Sequence, residues 1–306
     1  MKLAFLYAGQ GSQHAGMGRD LYEAYPAFRE AFDAAQLDFV LKAMCFEDAQ
    51  GQLSLTQYTQ PCMVAFAAGV TAILFEAGIR PEYAAGLSLG EYSALQASGV
   101  FTAKSAVELA AYRGKAMAKA AEGVESAMTA VLNLGREALE RCCEEASALG
   151  VVKICNYNCP GQLVIGGEKA AVERAGELAK AAGARRLMPL RVSGPFHTPL
   201  MQPAAQALRE RFETEAFGEM QIPVLFNCLG DLKGEETVAE LLERQVKSSV
   251  YMEDTIRRLE ALGVDTIVEI GPGKALTGFV RKTAPGIVCY SAEDAASVAA
   301  VLEALA

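Results

Sequence analysis

The sequence predicts an α/β protein in which a large domain with a mostly parallel sheet carries a smaller α+β insertion. Three observations lead there. Short apolar runs alternate with longer helix-like stretches over most of the chain, the order that builds parallel sheets. The pentapeptide Gly86-Leu87-Ser88-Leu89-Gly90 stands between an apolar run and a helix-like run. From residue 126 to residue 192 the alternation changes to strand, helix, two strands, helix, strand.

Taken in order, Lys2 to Ala8 is a strand that ends in the loop Gly9-Gln10-Gly11-Ser12-Gln13. No Gly-Lys-Ser/Thr follows, so a phosphate-cradling loop is disfavoured. The loop instead brings Gln10 to a strand's carboxyl end, where α/β sheets place their sites. Arg19 to Ala35 reads as one helix. Thr59-Gln60-Pro61 opens a long buried helix, Cys62 to Ala77, too short in its apolar stretch to span a bilayer. Tyr83-Ala84-Ala85 is a strand, Glu91 to Ser98 a helix, and Thr102 caps a helix from Ala103 to Ala121 that carries Arg113. The β-α-β-β-α-β order that follows is ferredoxin-like. It assigns residues 126–192 to an inserted subdomain and residues 1–125 and 193–306 to the large domain. Beyond it, helices are expected over Pro199 to Ala216, Thr237 to Val246, Tyr251 to Leu262 and Lys274 to Lys282. Strands are expected over Val224 to Asn227 and Thr266 to Ile270.

Composition sets limits. With 306 residues, 52% hydrophobic and 21% charged, the chain has material for a sizeable core and none of the signature of disorder. A net charge of −9 repels phosphate backbones and argues against nucleic acid as a partner. The apolar run after Met1 is too short for a secretory signal. The eight cysteines, among them Cys142-Cys143 and the pair Cys155 and Cys159, lack Cys-x-x-Cys spacing. Reduced thiols of a cytoplasmic protein are the expectation, rather than disulfides or a metal site.

A Gly-x-Ser-x-Gly sequence between strand and helix is the setting of a nucleophile elbow, which makes the large domain hydrolase-like. A serine on so sharp a turn leaves no room for side chains two residues away, hence the glycines. Its hydroxyl then stands at a helix N-terminus, where N–H groups meet developing negative charge. A serine nucleophile needs a base. The chain has two histidines, and His14 lies in a polar loop that suits a solvated role. His197 follows a Pro-containing turn and precedes a helix, the better position for a base. Neither Asp265 nor Glu269 is marked as its orienter, and a backbone carbonyl serves as well. The N–H of Leu89 and that of Gln10 are the natural oxyanion donors. Arg113 is either a surface or capping arginine or a bidentate clamp on a substrate carboxylate.

These motifs, in this order, resemble the acyltransferase family of fatty-acid and polyketide synthesis, which includes the malonyl-CoA:acyl carrier protein transacylases. The likeness runs nearly end to end. It rests on 9–13 (GQGSQ), 59–61 (TQP), 86–95 (GLSLGEYSAL), 113–117 (RGKAM), 156–165 (NYNCPGQLVI) with Gly167, 196–201 (FHTPLM) and 269–274 (EIGPGK). The resemblance implies Ser88 as nucleophile, His197 as base, Gln10 and Leu89 as oxyanion donors and Arg113 as ligand of the malonyl carboxylate. It also implies that the backbone carbonyl of Gln245 orients His197, and that Asn158, Gln162 and Phe196 line the substrate site. Phe196 matches the malonyl-selective version, in which a bulky ring crowds out an α-methyl group. The implied reaction needs no metal or resident cofactor. The implied partners are malonyl-CoA and an acidic acyl carrier protein bearing phosphopantetheine, and the implied state is a monomer. Docking of an acidic carrier on an acidic chain calls for a local basic surface, with Arg185-Arg186 or Lys274, Arg281 and Lys282 as candidates.

The sequence departs from the family at two places. Leu87 stands where many members have histidine, and Ser249-Val250-Tyr251-Met252 replaces a Pro-Val-x-Trp segment in a chain without tryptophan. Two competing readings are an acyl-thioester hydrolase using the same Ser88 and His197, and a non-catalytic scaffold that only binds carrier protein. A hydrolase would turn malonyl-CoA over without an acceptor thiol. A scaffold needs none of Ser88, His197, Gln10 and Arg113.

Overall fold

Five consecutive apolar residues, all fully buried, make β1 (Leu3–Tyr7) the centre of a parallel sheet, as a strand covered on both faces must be. In the computed structural model, which describes residues 1–305, it is followed by α1 (Arg19–Ala24), α2 (Pro26–Phe32), α3 (Leu41–Phe46), α4 (Thr56–Glu76), β2 (Tyr83–Gly86), α5 (Gly90–Ala97) and α6 (Ala103–Ala121). Next come β3 (Ser126–Leu132), α7 (Arg136–Ala146), β4 (Val152–Cys159), β5 (Gln162–Glu168), α8 (Lys169–Ala181), β6 (Arg186–Pro189) and α9 (Gln202–Phe212). The chain closes with β7 (Val224–Phe226), β8 (Asp231–Leu232), α10 (Val238–Val246), β9 (Val250–Tyr251), α11 (Met252–Ala261), β10 (Thr266–Ile270), α12 (Ala275–Thr283), β11 (Val288–Ala292) and α13 (Ala295–Leu305).

These elements fall into two units. The first comprises Met1–Lys115, Ala216–Phe226 and Arg257–Ala306. In it β11, β10, β1, β2 and β7 lie side by side in that order, all parallel. Tyr7 is level with both Gly86 and Ile270 in the register, so the three central strands end together. The loops after β1, β2 and β10 therefore meet at one edge. The Ala8 N–H donates to the Ile270 carbonyl at 3.0 Å and the Leu87 N–H to the Tyr7 carbonyl at 2.9 Å.

Prolines account for two differences from the sequence expectation. Pro26 divides the helix expected over 19–35. Tyr25 before it is extended, at φ −119° and ψ 113°, and Pro26 takes the first position of α2. Conversely, α4 begins at Thr56 and carries Pro61 in its interior, so the helix is 21 residues long. That is long enough to cross a bilayer, but 83% of its most apolar window is buried inside the protein. Phe28 of α2 lies so close that a Cβ on Gly69 would sit 2.4 Å from its ring.

The second unit comprises Ala116–Glu215 and Asn227–Ile256, and its sheet order is β6-β3-β5-β4-β9. The first four strands pair antiparallel in the ferredoxin-like manner, and Leu139, Ala146, Ile165 and Ala175 are buried between the sheet and α7 and α8. The unit is wider than the 126–192 segment because β9 adds to β4 in parallel. Tyr157 and Tyr251 stack there at 4.9 Å and 15°, and the Ser249 hydroxyl donates to the Ile154 carbonyl at 2.7 Å. Arg136 bonds Asp254 at 3.0 Å and pairs with Glu253 at 3.1 Å, and α9 packs on α10.

Candidate active site

Ser88 occupies the turn from β2 to α5 with φ +53°, a left-handed conformation that costs a serine roughly 1–2 kcal/mol. The turn closes through the Gly90 N–H on the Leu87 carbonyl, 2.9 Å, and the Glu91 N–H on the Ser88 carbonyl, 3.1 Å. Its glycines are dictated by contact. A Cβ on Gly86 would lie 2.0 Å from the Gly90 carbonyl carbon, and one on Gly90 would lie 2.2 Å from the Tyr7 carbonyl oxygen. Gly9 is constrained likewise, 2.5 Å from the Leu87 carbonyl oxygen, so the loop after β1 is pressed against the elbow. Leu87 itself bends over Gly9.

Leu89, buried, lies immediately before α5, and Gln10 lies in the loop after β1. Their backbone N–H groups find no acceptor among the described residues. The Gln10 side chain is anchored away, its amide donating to the Thr56 hydroxyl at 3.1 Å.

Arg113 is only 1% exposed, which rules out the surface-arginine alternative. One guanidinium nitrogen donates to the Gln60 side-chain oxygen at 2.8 Å and another to the Ser88 hydroxyl at 3.2 Å. The guanidinium also stands 5.5 Å from the centre of the buried Tyr92 ring. Burial pulls its pKa down, and the neighbouring Tyr92 and Glu91 oppose the shift. Gln60, Glu91 and Tyr92 were not singled out from sequence for any role. The available signal for Gln60 was its place in the 59–61 motif, just before the apolar run of α4.

In the second unit, His197 is buried with φ +61°. It sits against the end of α10. The His197 N–H donates to the Val246 carbonyl at 3.2 Å, and Nδ1 lies 2.9 Å from the Gln245 carbonyl oxygen. A carbonyl only accepts, so Nδ1 carries the proton and Nε2 presents a lone pair. A capping box at Thr237 and Glu240 starts α10 and so fixes what its far end presents. Phe196 is buried beside Gly194, and the Thr198 hydroxyl donates to the Pro195 carbonyl at 2.6 Å, tightening the histidine turn. Asn158, near the end of β4, is buried and its Oδ1 has no partner among the described residues. Gln162 opens β5, opposite Cys159.

The two carboxylates weighed as orienters are employed elsewhere. Glu269 accepts from the N–H groups of Leu276 and Thr277 at 3.0 and 2.7 Å, tying β10 to the start of α12. Asp265 accepts from the Lys2 N–H at 3.0 Å and the Thr266 hydroxyl at 2.7 Å. His14 is exposed.

Known proteins share this sequence and fold along nearly the whole chain. The family model described as acyl transferase domain matches residues 4–303. The malonyl CoA-acyl carrier protein transacylase of Bacillus subtilis is 41% identical, with 99% of this chain and 97% of that protein covered. A crystal structure described as MCAT from Streptococcus pneumoniae superimposes with a TM-score of 0.95 at 45% identity, covering 99% of this chain and 100% of that one. A holo complex of a type II PKS acyl-carrier protein with its malonyl-transacylase gives 0.94 at 38% identity, covering 99% and 100%.

Proposed function

The chain belongs to the acyl transferase domain family, alongside the malonyl CoA-acyl carrier protein transacylases, and from that premise we propose that it carries a malonyl group from malonyl-CoA to the phosphopantetheine thiol of an acyl carrier protein. The carrier serves fatty-acid or polyketide synthesis. The observation that carries the reading is a buried arginine bonded to the hydroxyl of a strained serine. An ordinary esterase has no use for a buried cation there, whereas an acyl group ending in a carboxylate does.

The proposed reaction is a double displacement. Malonyl-CoA places its free carboxylate on Arg113, whose orientation Gln60 fixes, and its thioester carbonyl against Ser88. The Ser88 oxygen attacks that carbon while His197 Nε2 takes the hydroxyl proton. The imidazolium so formed is held by the Gln245 carbonyl. The tetrahedral oxyanion is received by the N–H groups of Leu89 and Gln10, one such donor being worth ~3 kcal/mol. The C–S bond breaks, the CoA thiolate takes the proton from His197, and a malonyl ester of Ser88 remains. The carrier's pantetheine thiol then gives its proton to His197 and attacks the ester, and Ser88 leaves reprotonated. Asn158, with its buried Oδ1 lacking a partner among the described residues, and Gln162 are assigned to the pantetheine arm, whose amides supply N–H donors. Phe196 is assigned to crowding at the acyl α-carbon.

Mixing the enzyme with malonyl-CoA, quenching in acid and mapping peptides by mass spectrometry tests this. A malonyl group on the Ser88 peptide, absent from Ser88→Ala, is expected. An unmodified Ser88 peptide during turnover refutes it.

A further inference from the structure

We propose that the exposed edge formed by β6 and the chain just after it, residues 185–192, is the surface on which the acidic carrier protein docks. This rests on the function proposed above and adds to it the place of the partner.

β6 is the outermost strand of its sheet, paired with β3 on one side only. An exposed strand edge is ordinarily guarded by charge or covered by a partner. Here Arg185, Arg186 and Arg191 are all exposed, and none of the three forms an ion pair among the described residues. Three uncompensated cations within seven residues stand out in a chain whose net charge is −9. Apolar side chains are interleaved with them. Met188, Leu190 and Val192 are 39%, 37% and 37% exposed, three of the eight large hydrophobic residues exposed on the described surface. Beside them lies a groove of about 540 Å³ whose lining includes Met128, Val172, Leu190 and Val192. The one lysine in its wall, Lys169, is already paired with Glu125 at 3.2 Å.

The kind of partner follows from the arrangement. Arg186 lies on β6, Arg185 in the bend just before it and Arg191 beyond the strand's end, so the three cations are spread along the edge rather than gathered on a single phosphate. They suit an extended acidic surface. The interleaved apolar groups suit a protein face with an apolar centre and a charged rim, in which complementary charge governs encounter and orientation. The location suits delivery of a thiol. Val192 is followed by Ser193, Gly194 and Pro195 and then by Phe196-His197, a separation of roughly 18 Å at most along the chain. A carrier held on this edge is tethered close to the imidazole that must take its thiol proton.

The test separates the two half-reactions. Arg185→Glu, Arg186→Glu and Arg191→Glu are made singly and together. Formation of malonyl-enzyme from malonyl-CoA is measured by quenched mass spectrometry, and transfer to purified holo-acyl carrier protein by steady-state kinetics. The triple variant is expected to acylate at the wild-type rate and to show a KM for carrier raised about tenfold or more, with a flatter dependence on salt. Should the triple variant acylate poorly, the single reversals decide, each expected to raise that KM about two- to threefold with acylation unchanged. An unchanged KM for carrier, with acylation intact, overturns the docking assignment. Wild-type enzyme that forms no malonyl-enzyme would instead overturn the proposed function. In that case, direct binding of carrier protein to wild type and triple variant still judges the surface, and equal affinities reject it.

Discussion

Replacing Arg113 by alanine separates recognition of the acyl carboxylate from the chemistry at Ser88. The side chain is 1% exposed and its guanidinium is already aimed by the 2.8 Å bond to Gln60. A carboxylate received there gains charge-assisted hydrogen bonds, each worth roughly 1.5–3 kcal/mol. Losing one or two of them lowers kcat/KM for malonyl-CoA by roughly 10- to 10⁴-fold, at 1.36 kcal/mol per tenfold. A neutral acyl group gains nothing from the arginine. Acetyl transfer should therefore be unchanged or rise, and the malonyl-to-acetyl ratio should fall by at least roughly tenfold. The assay is competition between malonyl-CoA and acetyl-CoA for holo-acyl carrier protein, read by mass spectrometry. Alanine also strands the buried Gln60 oxygen, at a stability cost of about 1–3 kcal/mol, so folded fraction is measured alongside. A folded variant that keeps the wild-type ratio would refute the carboxylate clamp.

Three further outcomes follow from the same geometry. Ser88→Gly should abolish acylation and yet stabilise the protein by about 1 kcal/mol, because φ +53° no longer strains a side chain; a lowered melting temperature would contradict the elbow argument. Gly86→Ala forces a Cβ to within 2.0 Å of the Gly90 backbone and should cost about 3 kcal/mol or more together with activity, so a wild-type urea midpoint would count against it. Asp294 accepts from both the N–H and the hydroxyl of Ser297 at 2.7 Å at the start of α13, and these bonds hold its carboxyl below the usual range. A depressed native pKa means stability that is present above the unfolded value, near 3.9, and is lost as pH falls through the native one. Asp294→Ala should thus cost about 1 kcal/mol at pH ~7 and progressively less below pH ~4, read from urea midpoints at both.

Much of this was legible in the chain because local rules and tertiary packing agree. The elbow reads from sequence since steric exclusion at Gly86 and Gly90 admits no other residue. The ferredoxin-like strands read from their alternation, and Thr102 as a cap from its place before a polar-apolar helix; the Ser105 N–H indeed donates to its hydroxyl at 3.1 Å. Other features depend on contacts between segments far apart. Gln60 touches Arg113 across 53 positions, and the motif at 59–61 marks the residue without announcing that partner. β9 is two residues long and is a strand only because β4 lies beside it. β11 and α13, beyond the last element read from sequence, were missed because β11 is half-exposed and α13 is an alanine-rich run without a strong stripe. Pro61 misled, since a proline usually marks a helix's first turn and here lies inside one.

The central claim is that the acyl group rests covalently on Ser88 between two thiols. The most direct measurement isolates enzyme treated with malonyl-CoA, removes free CoA, and adds holo-acyl carrier protein in one portion and buffer in another. The account predicts malonyl-carrier in the first, formed at the rate at which the malonyl-Ser88 peptide disappears, and a long-lived acyl-enzyme in the second. Loss of the acyl group to water at the same rate in both portions, or carrier acylation without any malonyl-Ser88, would contradict it.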